Sequence, residues 1–159
     1  MVGFAIDIQR QNKEALKWIL NYAEKRDSYI AQSASFSELG ATAYTGMPHG
    51  SEVGDPTLKK GITLIDLEYQ KKWLMVIEKM ELTLSDKRKI FLELRRRAEL
   101  IETSEVGRPG WVGYVQAKYA DWHYRQYGKG YPPSKQTMCK WMNDIVDVAV
   151  RLAIREGVL

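Results

Sequence analysis

GKGYPPSKQTMCKWMNDIVDVAV, residues 128–150, is the stretch from which the fold is read. Gly128, Gly130, Pro132 and Pro133 end whatever precedes them, and Ser134 then stands where a helix N-cap belongs, with a hydroxyl able to accept an orphan backbone N–H. A helix is expected from there. Met138, Trp141, Met142, Ile145, Ala149 and Leu152 recur at spacings of three and four, which puts them on one buried face. Lys135, Gln136, Cys139, Lys140 and Asn143 fall on the other side, with two cations, two amides and no carboxylate. Lysine matches phosphate, and the amides of Gln and Asn can pair with a base edge, so this face suits DNA as well as it suits plain solvent.

Just upstream, WVGYVQAKYADWHYRQY (111–127) has its own helical rhythm in Trp111, Val112, Val115, Tyr119 and Trp122. Two helices joined by a Gly/Pro turn, the second opening on Ser and basic residues, have the outline of a helix-turn-helix. The connection, 124–133, is longer than the shortest such turns.

Charge points to the same third of the chain. The 159 residues carry 24 Lys and Arg against 20 Asp and Glu, a net charge of +4. Residues 108–159 hold eight of the cations and four of the carboxylates, so all of the net charge lies there and the remaining residues balance. This is the part biased toward a polyanion. The one cysteine, Cys139, excludes an internal disulfide and any multi-cysteine zinc site, and suits a reducing compartment. The opening MVGFAIDIQRQ lacks a signal-peptide pattern and no apolar run reaches membrane-spanning length, so the expectation is a cytoplasmic protein with no membrane partner.

Earlier in the chain, residues 9–29 read as a first helix, with Leu16, Ile19, Leu20 and Ala23 on one face and Trp18 and Tyr22 widening it. An N-terminal helical unit is therefore set at 1–32. Glycines at 40, 46, 50 and 54 and prolines at 48 and 56 make 33–57 a linker or long loop without a single Lys or Arg. Its GMPHGSEVGDP lacks the Gly-Lys-Ser/Thr ending of a phosphate loop and follows no strand, and His49 beside Ser51 has no third hydrolytic member.

Asp55 and Pro56 then open another helix, as cap and first residue. Leu58, Ile62, Ile65, Tyr69, Trp73, Val76 and Met80 form one stripe, and Leu64, Leu67, Leu74 and Ile77 a second. One stripe serves the core; the other needs the first helix or a second copy of the chain, so a homo-oligomer is expected. After an interruption at 83–85, Ser85 caps a further helix with Ile90, Phe91, Leu94, Ala98 and Ile101 inside. Arg95, Arg96 and Arg97 on its outside could hold phosphates, but Glu93, Glu99 and Glu102 interleave with them, which also fits a salt-bridged solvated face. Residues 58–104 thus form a helical hairpin with possible oligomerisation, and 103–110 a closing loop. No strand-period segment occurs, so the fold class is all-α: N-terminal helix and long loop, helical middle, C-terminal helix-turn-helix over 108–159.

The residues SKQTMCKW (134–141), behind the helix that starts at Trp111, resemble the end of small phage transcriptional activators of the RinA and ArpU type. MPHGSEVGDPT (47–57), KWL (72–74) and RKIFLELRR (88–96) are similar to the middle of such proteins. The resemblance covers about two-thirds of the chain and implies a C-terminal helix-turn-helix like region four of sigma factors. It makes Ser134 the cap and sets Lys135, Gln136 and Lys140 toward DNA, with Met138 and Trp141 inward. Lys129, Thr137, Cys139 and Asn143 complete the candidate DNA-binding set. The function implied is a sequence-specific double-stranded DNA-binding regulator, a phage or prophage late-operon activator in a bacterial host, with RNA polymerase as a further partner. The alternatives are a packaging protein like a small terminase subunit and a helical adaptor that binds only protein. No cofactor, metal or catalytic role is expected, because no nucleophile with its base, ligand cluster or spaced carboxylate pair is recognisable.

Overall fold

In the computed structural model, residues 2–42, 56–104 and 110–159 are described, and they form six helices with no strand among them. The all-α class is as expected. The glycine-rich stretch 43–55, including His49, Ser51 and the Asp55 cap, and the loop residues 105–109 lie outside the described residues.

The first helix is longer than its apolar pattern, and it is two helices: α1 (Val2–Leu20) and α2 (Tyr22–Thr42). They join at Asn21, whose backbone N–H and side-chain Nδ2 both donate to the Lys17 carbonyl, at 3.1 and 3.0 Å. A side chain that shares the i−4 acceptor loosens the ladder locally, yet the ladder continues through the junction, with the Lys25 N–H donating to the Asn21 carbonyl at 2.9 Å. α2 then runs antiparallel to α3 (Pro56–Leu82), with the Tyr22 hydroxyl donating to Glu78 at 2.8 Å and Gln70 donating to Gln32 at 3.1 Å.

This corrects the loop expected from residue 33, since α2 continues to Thr42. Ala, Leu and Glu favour helix there, Phe36 is half-buried, and Ser37 returns its hydroxyl to the Ser33 carbonyl at 3.0 Å, so the serines do not break the ladder. The serine-rich composition read as a loop; packing along a neighbour overrode it.

Thr83, Leu84 and Ser85 turn the chain into α4 (Asp86–Ser104), and the Ser85 hydroxyl accepts the Arg88 N–H at 3.4 Å, a long contact in the expected cap position. Next, α5 (Trp111–Tyr127) lies antiparallel on α4: the Arg95 guanidinium covers the Trp111 ring at 4.5 Å at one end, and Lys87 covers Tyr127 at 5.5 Å at the other. The last helix, α6 (Lys135–Arg155), packs chiefly on α3 and α1.

One apolar cluster joins these elements. It contains Ala15, Trp18 and Ile19 of α1, Trp73 to Met80 of α3, Phe91 to Ala98 of α4, Val115 and Tyr119 of α5, and Met138 to Ala153 of α6. Trp18 and Trp73 stack at 5.7 Å with ring planes 6° apart. The packing therefore does not follow the divisions read from sequence, because α6 completes the core that α1 and α3 begin.

Most of the second stripe of α3 is covered within the chain, the first of the two covers its pattern left open. Leu67 and Leu74 are 8% and 6% exposed and Ile77 is fully buried, all inside the chain. Leu64 is exposed, as are Ile62, Ile65 and Tyr69 of the first stripe. Burial divides α3 by halves instead of by stripes, since only its C-terminal half is wrapped by α1 and α6.

Candidate nucleic-acid interface

The leading end of α6 is built by its cap and by the chain that precedes it. Ser134 is extended (φ −68°, ψ 156°), and its hydroxyl accepts the Thr137 N–H at 3.1 Å, as a capping serine should. Thr137 is spent on the same cap, its hydroxyl 2.9 Å from that of Ser134. The free backbone N–H groups of this first turn are the positive end of the helix and favour an anion.

Before the cap the chain doubles back. Gly128 takes the left-handed conformation (φ +71°) and donates to the Tyr124 carbonyl at 2.8 Å, ending α5 with the residue best able to adopt that conformation. Residues 128–133 then return along α5: His123 Nδ1 meets the Lys129 carbonyl, Gly130 faces the Ala120 carbonyl, and Gln116 donates to the buried Pro133 carbonyl at 3.0 Å. Two prolines keep this segment out of a helix, because neither can donate a helical hydrogen bond. Thus α6 starts beside Gln116, near the middle of α5. The expected order of helix, Gly/Pro turn and capped helix is present, but α5 packs on α4 and meets α6 through Tyr119 and Trp141, whose rings are 5.6 Å apart. This is a wider corner than a short-turn helix-turn-helix.

The faces of α6 are as the spacing predicts. Met138, Ile145 and Ala149 are buried, and Trp141, Met142 and Leu152 are half-buried. Lys135, Gln136, Cys139, Lys140 and Asn143 are exposed and line one shallow groove together with Asp144. Ser134 is exposed at the cap and Thr137 is half-buried, whereas Lys129 is exposed in the preceding corner, where its carbonyl meets His123 of α5. Seven of the eight candidate residues therefore lie on the cap and the first half of α6, and Lys129 stands apart from them in the corner beside α5.

Charge pairing separates this end from the other basic run. Among the described residues no carboxylate pairs with Lys129, Lys135 or Lys140. The arginine triplet is committed internally: Arg95 pairs with Glu99 at 2.7 Å, Arg97 pairs with Glu93, and Arg96 reaches Glu81 at 2.6 Å. The reading of that run as a phosphate holder is displaced by its ion pairs. Farther along α6, Asp147 and Arg151 pair at 2.8 Å and cancel.

The structure adds Lys87 and Arg88 from the first turn of α4. Arg88 pairs with Asp144 at 2.9 Å and so offsets the one carboxylate in the groove. Lys87 stands over Tyr127, whose ring is 4.6 Å from His123, and His123 in turn is 5.8 Å from Tyr131. Charge counting missed Lys87, because the first two-thirds of the chain is neutral in sum; only tertiary packing brings α4 to this surface.

Among the described residues no three His, Cys, Asp or Glu side chains are placed to hold a metal ion, and no helix is long and apolar enough to cross a membrane. Compared with known proteins, the chain matches no family model, no curated sequence and no solved structure.

Proposed function

We propose that this chain is a double-stranded DNA-binding transcriptional regulator of the phage late-operon activator type, acting in the cytoplasm of a bacterial host with RNA polymerase as a partner. The observation that carries the reading is the leading end of α6, where unpaired lysines, exposed amides and a capped helix N-terminus share one face. Lysines there meet phosphates, while Gln136 presents an amide that can bond adenine in bidentate fashion. Asn143 lies two turns on, on the same face.

The test is anisotropy with duplex DNA flanking its gene and with random duplex, over a range of salt. Binding should weaken steeply as salt rises, by counterion release. Lys140→Ala should weaken both duplexes alike and lower the salt slope by about one unit. Gln136→Ala should cost about 1–3 kcal/mol on the preferred duplex and little on the random one. Absence of binding at low salt, or binding that neither substitution alters, would overturn the reading.

A further inference from the structure

The N-terminal half of α3 carries an apolar seam that the monomer leaves in water. Ile62, Ile65 and Tyr69 are 59%, 71% and 37% exposed. They continue, at spacings of three and four, the row of Trp73, Val76 and Met80, each 0% exposed. One row is thus core at its C-terminal end and open at its N-terminal end. Three large apolar side chains in one row differ from the scattered exposed leucines elsewhere, because a row can be covered by a single helix.

The charges beside the seam select the covering partner. Lys59 and Asp66 are seven residues apart and so stand on the same side of the row. In an antiparallel pair of identical helices related by a two-fold axis, like sides meet and residue order is reversed. When Ile62 of one helix is level with Ile65 of the other, Lys59 comes within about one residue rise or two, roughly 3 Å along the axis, of the level of Asp66 opposite. The opposite pair forms by symmetry. In a parallel pair unlike sides meet, so Lys59 and Asp66 would face the Gly61 side of the partner and this complementarity would be lost. Gly61 flanks the seam on the other side, and a Cβ there would meet nothing within 4 Å, so no neighbour in the chain occupies that approach.

We propose that the N-terminal half of α3 docks against the same segment of a second copy, antiparallel, making the protein a two-fold symmetric dimer. The pairing does not rest on DNA binding. The seam spans about two helical turns, which places the interface at the small end of the range for specific complexes and the expected dissociation constant no tighter than the micromolar range. Were DNA the ligand, the dyad would set two α6 faces on one particle, suited to two half-sites.

Sedimentation without DNA tests this, at a chain concentration of about 100 μM, above a micromolar dissociation constant. The wild type should sediment as twice 18.3 kDa. Ile62→Lys with Ile65→Lys should sediment as one chain with unchanged helical circular dichroism, since both positions are exposed in the monomer. Lys59→Glu should also shift the equilibrium toward one chain by setting carboxylates against each other, and adding Asp66→Lys should restore the dimer. A wild type that sediments as one chain, with residues 43–55 or another protein left to cover the seam, overturns the proposal. So does a mass indifferent to the isoleucine changes, or a charge swap that fails to restore pairing. Loss of DNA binding alone would leave these masses unchanged and bears only on the functional reading.

Discussion

Arg96 does more for the fold than a surface arginine ordinarily can. Its Nε donates to the Ile19 carbonyl at 2.7 Å, near the end of α1, and its Nη1 stands 2.6 Å from Glu81 of α3, an ionic contact without hydrogen-bond geometry. The guanidinium also covers the Tyr22 ring at 5.3 Å. A planar, forked cation can serve a carbonyl, a carboxylate and an aromatic face together, which an ammonium cannot. Arg96→Met should therefore lower stability by about 1–3 kcal/mol through the carbonyl and carboxylate left unpaired, with Arg96→Lys falling between. Denaturant melts measure this, and a loss within about 0.5 kcal/mol would place Arg96 with ordinary surface residues. Beside it, burial first and then the Glu78 carboxylate push the Tyr22 hydroxyl up to about 12 from 10.0. The folded state thus holds that proton more tightly than the unfolded state, so the contribution is whole below pH 10 and is lost as pH rises toward 12. Melting temperatures of Tyr22→Phe should fall less than those of the wild type across that interval; parallel curves would contradict the assignment.

At the scale of elements, Trp141 shows how α6 is held. Its ring lies 5.4 Å from Phe91 of α4 and 5.6 Å from Tyr119 of α5, so one half-buried side chain joins three helices. Trp141→Ala should cost about 3 kcal/mol, the lower end for a core tryptophan because part of the ring is already exposed. The variant should keep its DNA preference wherever it remains folded. A change of preference at unchanged thermal stability would mean that the two faces of α6 are assigned backwards. Both faces were legible in the spacing from Met138 to Leu152, as was the Ser134 cap. What the spacing could not supply is where α6 begins relative to α5, because the path of 128–133 is set by contacts with Gln116, Ala120 and His123 across the corner.

For the whole molecule, the shared core bears on any attempt to isolate the DNA-binding part. The buried side of α6 faces α3 and α1, and Lys79 of α3 bonds Glu156 just past the end of α6 at 2.6 Å. That lysine's hydrogen bond and charge hold the Glu156 carboxyl below its ordinary value. A fragment of residues 108–159 would expose Ile145, Ala149 and Val150 together, and it should show little helical signal and no cooperative melt, while the full chain melts cooperatively. A fragment that folds alone would show that the core contacts of α6 are dispensable.

The amino-acid sequence alone determined the all-helical class, the helix starting at Ser134, its two faces and the concentration of net charge in the last third, because each depends on local spacing or on capping chemistry within a few residues. Tertiary structure alone decided that residues 33–42 are helix, that Leu67 and Leu74 turn inward, and that the arginine triplet is consumed by Glu81, Glu93 and Glu99. Arg95 and Arg97 have carboxylates one turn away on α4, and spacing offered those pairs as an option; whether Arg96 is free depended on α1 and α3 arriving beside it. An apolar stripe has the same pattern whether the chain or a partner covers it, and which half of α3 was covered depended on where α1 and α6 end.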